Sequence, residues 1–485
     1  MKIFKNTFLY LGILTGFSAL IYFILVTGRN LETGGVLVAP GTGKSQWMEF
    51  VDSLLDNLQH PLSILLAQII TIIIVARLLG WVCKKVGQPA VIGEIIAGII
   101  LGPSFLGMYF PGFSSALFPV KSLGNLNFLS QIGLILFMFI VGLELDLKML
   151  KNKAKDVVII SHASIIVPFT LGTGLAYFIY KSFAPAGIQF SSFSLFLGIA
   201  MSITAFPVLA RILQERGLQK TRIGAMVITC AAANDVAGWC LLAVVIAIVK
   251  AGSFVSTLYM IVLAAAYVFL MIKVIRPLLR RMADAQSVNE QLNKPLVATF
   301  FITLILSAYA TQLIGIHALF GAFMAGVIIP GSHRFKNIII EKVEDITLLI
   351  LLPLFFVYTG LRTEIGLLTE PYLWAVTGLI ILVAVIGKFL GSALAARFVG
   401  QNWKDSLSIG ALMNTRGLME LIVLNIGYDL GVINPVVFTM MVIMALLTTI
   451  MTGPSLSLIN RIFKDNETII PGETLSERKS REGVS

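Results

Sequence analysis

Residues 93–104 read GEIIAGIILGPS and residues 321–332 read GAFMAGVIIPGS, so that Gly93, Ala97 and Gly98 meet Gly321, Ala325 and Gly326 at one constant offset. The next apolar stretches also match: FMFIVGLELD (137–146) lies beside FFVYTGLRTE (355–364), with Gly142-Leu143 opposite Gly360-Leu361. A third, weaker match sets GIAMSIT (198–204) beside GALMNT (410–415), and the three matches keep the same order in both halves. Small residues recur in membrane helices simply because they permit close packing. Three matches in one order go beyond that habit and indicate a duplication.

The stretches around the repeat place it in lipid. Hydrophobic residues make up 57% of the 485, charged residues only 13%, and the mean hydropathy is +0.92, which excludes an ordinary soluble globular protein. Apolar runs of bilayer length recur near 7–27, 61–82, 89–108, 127–145, 155–181, 191–213, 222–249, 254–280, 294–314, 315–331, 346–363, 371–399, 405–428 and 434–460. The expected architecture is an all-α polytopic membrane protein of about 13 to 14 transmembrane helices. Residues 1–60 read as an N-terminal anchor helix and outer loop, 61–461 as the membrane domain, and 462–485 as a short cytoplasmic tail. The first run follows Lys2 and Lys5 but has no A-x-A-like cleavage site, so an uncleaved anchor is expected.

The helices carrying the first match are an odd number of spans apart, so one copy of the repeat runs opposite to the other. An inverted-topology duplication is expected of a secondary transporter with its site near the midplane. Such a repeat argues against a receptor or a membrane enzyme.

The net charge of +11 follows the membrane rather than a nucleic-acid partner. Lysines and arginines gather in alternate loops, among them Lys84 and Lys85, Lys148 to Lys155, Arg216 to Arg222, Arg276 to Lys294, and Arg461 onward. The other loops hold Glu32, Asp52, Asp56, Glu364, Glu370 and Asp429. Cationic loops resist translocation, so both termini are expected to be cytoplasmic, in a bacterial inner membrane. Cys83, Cys230 and Cys240 make no disulfide framework. The segment APGTGKS (39–45) ends like a phosphate loop, but Val38 stands where that pattern needs Gly, and no strand precedes it. No cofactor is implied.

Asp235 lies about 13 residues from either end of its run, about 20 Å from each surface. A carboxylate at that depth costs about 2.5 to 3.5 kcal/mol on insertion scales, so it needs a partner, a bound cation or a proton. A single carboxylate that holds either a hard monovalent cation or a proton, never both, couples the movements of the two. Asn234 beside it can offer a carbonyl oxygen or hold its neighbour in place without a second charge. Structural glue between helices is the plainer reading of the pair. Lys388, deep in VAVIGKFLGS, is the expected counter-charge or coupling residue, with a purely stabilising pair as the alternative. Thr204 and Ala205 precede Pro207, which interrupts a helix; Asn414, Thr415 and Gly417 are the counterparts in the other half. Arg416 and Glu420, spaced i, i+4, read as a structural ion pair.

The quoted repeat segments, FIVGLELD, MSITAFPVLARIL, AAANDVAGW (231–239) and MNTRGLMELIVLNIG (413–427) together resemble the monovalent cation:proton antiporter-2 family of sodium/hydrogen-exchanger-like carriers. The last three are similar to the plant CHX-type cation/H+ exchangers and their bacterial relatives. The resemblance spans about 61–460 and implies a homodimer, a core domain moving against a dimerisation domain, and two crossed discontinuous helices around Thr204 and Thr415. It also implies that Asp235 is the carrier of Na+ or K+ and of H+. An Asn at 234 is associated in that superfamily with electroneutral exchange, and a Lys at 388 with the electrogenic branch, so stoichiometry stays open. A Na+-coupled solute symporter is the alternative within the fold, and a cation channel or transport-dead sensor the alternative outside it.

Overall fold

Inside a bilayer every backbone amide must find its partner within the chain, and long apolar stretches meet that demand as helices. The computed structural model describes residues 2–28, 45–144, 154–216, 218, 221–251, 254–286, 294–330 and 333–467. Residues 39–44 of the phosphate-loop lookalike, the lysine-rich segment 145–153 and the tail from 468 lie outside the described residues.

In chain order the helices are α1 (Lys2–Gly28), α2 (Gln46–Leu58), α3 (Pro61–Lys85), α4 (Ala90–Leu101), α5 (Leu106–Tyr109), α6 (Pro111–Leu117), α7 (Val120–Glu144) and α8 (Ala154–Phe183). They continue with α9 (Phe190–Ala200), α10 (Phe206–Glu215), α11 (Arg222–Ala251), α12 (Phe254–Leu270), α13 (Arg276–Gln286), α14 (Lys294–Ile314) and α15 (Ala318–Ile328). The last are α16 (His333–Ile346), α17 (Leu352–Leu361), α18 (Pro371–Val385), α19 (Gly391–Phe398), α20 (Trp403–Met413), α21 (Leu418–Asp429) and α22 (Pro435–Glu467). Residues 1–63 and 64–485 form separate contact units.

Among the described residues eleven helices are long and apolar enough to cross a membrane, and up to twelve if the bent pair α20 and α21 counts as one span. The chain is therefore a polytopic membrane protein. Two of the expected spans fall short for identifiable reasons. The run 191–213 is interrupted after Ala200, leaving helices of 11 and 10 residues. The run 315–331 yields a helix of only 11 residues, because the chain turns at Gly315 and His317, both with positive φ, just before it starts.

Within residues 64–485 the helices sort into two packed groups. In one, α4 packs on α17, α7 on α15 and α17, and α14 on α15; in the other, α8 packs on α9, α11 and α19, and α20 on α19 and α22. The glycines matched by the repeat decide the first group. A methyl at Gly98 would overlap the Val357 carbonyl and crowd the Gly360 Cα, and a methyl at Gly142 would overlap the Phe323 carbonyl and crowd the Gly326 Cα. Close backbone approach of this kind is what small residues permit in membranes. The contact of Gly98 with Gly360 thus has a twin in the contact of Gly326 with Gly142.

The second group contains both helix interruptions. Between α9 and α10 the backbone leaves the helix at 201–205, and between α20 and α21 at 414–417. Pro207 sits in the first turn of α10, where its missing N–H costs nothing. Gly417, with φ of 155° and ψ of −124°, starts α21 from a conformation closed to residues with a Cβ.

Candidate functional site

The two interruptions touch. The Ala205 N–H donates to the Thr415 carbonyl at 3.1 Å, and the Thr204 hydroxyl donates to the Met413 carbonyl at 3.0 Å. Freed backbone groups of one interruption are thereby satisfied by the other, which is the condition for non-helical backbone at membrane depth.

The α11 helix brings Asn234 and Asp235 to this junction, both buried. Asn234 is fully engaged: its Oδ1 accepts from the Ser161 hydroxyl at 2.7 Å, and its Nδ2 donates to Ser164 Oγ at 2.6 Å and Thr204 Oγ1 at 3.2 Å. One amide so fixes α8, α11 and the first interruption together. Asp235 is placed differently. It takes the Phe206 backbone N–H at the start of α10, yet its Oδ1 has no hydrogen-bond partner among the described residues. A buried carboxylate oxygen left bare is expensive unless something binds it.

Lys388 lies in a π-helical turn, Ile386–Leu390, between α18 and α19. Such wider turns concentrate at functional positions. Its ammonium donates to the Ser164 carbonyl at 2.8 Å and to the Ser202 carbonyl, and it stands near enough to Asp235, Arg416 and Glu420 to feel their charges. Arg416 Nη1 and Nη2 donate to the carbonyls of Ala200 at 3.2 Å and Met201 at 2.8 Å. The exposed carbonyls at the end of α9 therefore face two cations, and the amide end of α10 faces a carboxylate, as the helix dipoles favour.

Arg416 also pairs with Glu420, Nη1 to Oε1 at 3.4 Å, both side chains fully buried, so the i, i+4 pair read from the sequence is present in the fold. Its ties to the end of α9 add a role beyond one helix face. Of the other expected crossing residues, Asn414 is buried with no partner for its Oδ1 among the described residues, and Thr415 Oγ1 lies 3.3 Å from Thr452 Oγ1. Asp235, Asn234, Thr204, Lys388 and Arg416 form one connected cluster.

Sequence reasoning missed the hydroxyls that hold this cluster. Ser161 and Ser164 were visible as an i, i+3 pair of small polar residues in an apolar helix. Thr449, whose hydroxyl accepts from the Arg416 N–H at 3.1 Å and lies 2.8 Å from the Arg416 carbonyl, carried no distinguishing signal in a helix that also holds Thr448 and Thr452.

A cavity of about 190 Å³ approaches the cluster from the end of the bundle that carries Lys84, Lys85 and Arg222, lined by Gln88, Pro89, Ile212, Arg216, Thr449 and Gly453. A narrow crevice lined by Ile92, Val208, Arg416, Gly417 and Thr449 lies deeper, and Thr449 borders both.

Comparison with known proteins points to one family. Residues 70–461 match the family described as "Sodium/hydrogen exchanger, transmembrane". The chain is 46% identical over 400 residues to the Na(+)/H(+) antiporter NhaS4 of Synechocystis sp., covering 81% of this chain and 97% of that one. It is 41% identical to Cation/H(+) antiporter 17 of Arabidopsis thaliana (87% of this chain, 50% of that one) and 34% identical to K(+)/H(+) antiporter 1 of Saccharomyces cerevisiae (84% and 47%). The chain thus spans about half the length of the plant and yeast relatives. Among solved structures it is similar to the sodium proton antiporter MjNhaP1 of Methanocaldococcus jannaschii, with a TM-score of 0.59 at 16% identity over 82% of this chain and 96% of that one. The chain belongs to the sodium/hydrogen exchanger family, whose members are transporters and not enzymes.

Proposed function

We propose that the chain is a secondary antiporter that exchanges a monovalent cation, Na+ or K+, for H+ by alternating access, with Asp235 binding each in turn. The observation that carries the reading is the bare Oδ1 of a buried carboxylate at the meeting of two interrupted helices. The antiporter names of the bacterial, plant and yeast relatives support the pairing of a monovalent cation with a proton.

Each group then has a role. Ionised Asp235 offers the free oxygen to a cation that has shed part of its hydration, and Thr204 Oγ1, its proton committed to Met413, keeps a lone pair for the same ion. Asn234, with its own carbonyl occupied by Ser161, acts by holding Thr204 and α8 in register. Lys388 and Arg416 fix the carbonyl end of α9, and Asn414, Thr415 and Gly417 shape the opposing interruption. The twin contacts of Gly98 with Gly360 and Gly326 with Gly142 support an inverted-topology repeat, and the bonds between 204–205 and 413–415 support a crossing of two discontinuous helices.

Charge bookkeeping favours one-for-one exchange. With Asp235 and Glu420 ionised and Lys388 and Arg416 protonated, the cluster is neutral, and either H+ or a monovalent cation raises it by the same single charge. Two protons per cation would require Lys388 or Glu420 to change protonation in the cycle. The working form is taken to be a homodimer in a bacterial inner membrane with both termini cytoplasmic, so that the basic end of the bundle faces the cytoplasm.

Reconstitution into vesicles with a trapped pH dye tests the reading. Addition of Na+ or K+ is expected to move the internal pH, with Li+ and Rb+ defining selectivity. Cation flux with no proton movement would instead mark a channel, and proton-independent uptake of an organic anion with Na+ a symporter.

A further inference from the structure

The two ends of the site cluster are not equivalent. Toward the basic end lie the cavity beside Gln88 and Arg216 and the crevice beneath it. Toward the end that carries Glu364, Glu370 and Asp429, the two helix groups are tied together by side chains the exchange mechanism does not use.

The tie centres on Arg362, which caps α17 of the first group. Its Nη2 pairs with Asp429 Oδ1 at 2.6 Å and its Nη1 donates to Asn425 Oδ1 at 3.0 Å, both on α21 of the second group. The guanidinium carbon stands 4.8 Å from the ring centroids of Tyr358 on α17 and of Tyr428 on α21, so an aromatic face from each group holds it. Asn425 returns a bond to α17, Nδ2 to Thr359 Oγ1 at 2.9 Å. The Glu364 N–H adds another, to Thr439 Oγ1 on α22 at 3.2 Å. The two ion-pair and amide bonds of Arg362, the return bond of Asn425 and the bond of Glu364 all cross from one group to the other.

We propose that Arg362 is the releasable latch of the acidic end of the pathway, closed in this conformation and opened each time the carrier presents its site to that side. Chemistry suits the task. Arg362 and Asp429 side chains are 20% and 39% exposed, and an ion pair that water can reach is held weakly enough to break and reform, with the aromatic faces adding a modest increment. A fully buried pair, such as Arg416 with Glu420, would cost too much to part. Breaking the latch should shift the population toward a state open at the acidic end and closed at the basic one. The idea rests on the antiport reading for its place in a cycle, but its geometry is testable without any flux.

The test uses single cysteines at Pro89, which like Gln88 lines the basic-end cavity, and at Thr439, where the cysteine sulfur can still accept from the Glu364 N–H. Each is labelled in vesicles by a water-soluble maleimide, corrected for the native cysteines and compared only with the same cysteine background carrying the intact latch. Arg362→Gln should speed labelling at 439 and slow it at 89, each by about threefold or more, because population leaves one state for the other. Asp429→Asn, at a half-exposed position, should move both rates in the same senses by less. The swapped pair Arg362→Asp with Asp429→Arg should restore the parent rates. Unchanged rates in both single variants would overturn the latch, and so would faster labelling at both positions, which signals general loosening. If the dye assay shows no cation-driven pH change while the opposed labelling shifts occur, antiport fails and the latch stands. Normal exchange with unchanged labelling would leave antiport standing and remove the latch.

Discussion

The two helix interruptions meet, yet they are built on opposite plans. At 201–205 the broken ends are met by charges from elsewhere in the fold: Lys388 and Arg416 stand at the carbonyl end of α9, and Asp235 takes the amide end of α10. At 414–417 the interruption exports its charge, sending Arg416 toward α9, while its own backbone is stapled by neutral hydroxyls, Thr449 on one side and Thr204 on the other. On the proposed mechanism the first interruption is where charge changes, and the second is the scaffold that holds it in place. Substitutions on the first should alter transport chemistry, and those on the second should alter stability before chemistry.

The largest effect is expected at Asp235. Asp235→Asn removes the carboxylate beside the first interruption and should reduce cation-driven pH change in vesicles to the protein-free background while leaving the fold intact, because a neutral side chain is cheaper to bury. Full activity in that variant would end the reading of Asp235 as carrier. Lys388→Met comes next. It strips a cation from a buried, balanced cluster, and breaking such a network costs about 3–5 kcal/mol, so both exchange and Tm should fall. A loss of exchange with unchanged Tm would assign Lys388 to coupling alone.

On the second interruption, Thr449→Val keeps the shape of the side chain and deletes its hydroxyl. The buried Arg416 N–H is then left unsatisfied at a cost of about 1–3 kcal/mol. Tm should drop while the exchange that survives keeps its apparent KM for the cation. A raised KM at unchanged Tm would mean that Thr449, which borders the cavity, handles the ion directly, and the contrast between the two interruptions would fail.

How much of this could be read from the chain follows from the same physics. The matched glycines were legible because close backbone contacts demand glycine, and Gly98, Gly142, Gly326 and Gly360 make such contacts. Asp235 and Lys388 were legible because a charge at membrane depth is rare and costly. The hydroxyl staples were not, since a serine or threonine in a membrane helix can bond its own preceding carbonyl, as Thr448 does with Met444 at 2.8 Å. Nothing local separates those from Thr449. Hydropathy measures apolar length alone, so the run 191–213 reads as one continuous stretch although its helix stops at Ala200 and restarts at Phe206. The Arg362 tie escaped notice because Arg362 and Asp429 are 67 residues apart and each looks like an ordinary loop charge.

Asn234→Asp should have the smallest effect on rate and the most informative effect on charge. In the parent, Asn234 donates to two hydroxyl oxygens, Ser164 and Thr204, whose own protons go to the carbonyls of Ser161 and Met413. An aspartate there must turn those hydroxyls toward itself, which a rotating O–H allows at the expense of the Thr204 bond to the Met413 carbonyl, so a modest fall in Tm accompanies the change in charge. The cluster then holds one more site for a proton, so a cycle that returns two protons per cation becomes possible without Lys388 or Glu420 changing state. Such a carrier moves one net charge, worth about 2.3 kcal/mol at 100 mV, roughly a fiftyfold bias in the direction of exchange. The pH-dye signal should therefore gain a dependence on an imposed diffusion potential that the parent lacks. A parent that already responds to potential would show that Asn234 does not enforce neutrality, and would shift the search for the second proton to Lys388 and Glu420.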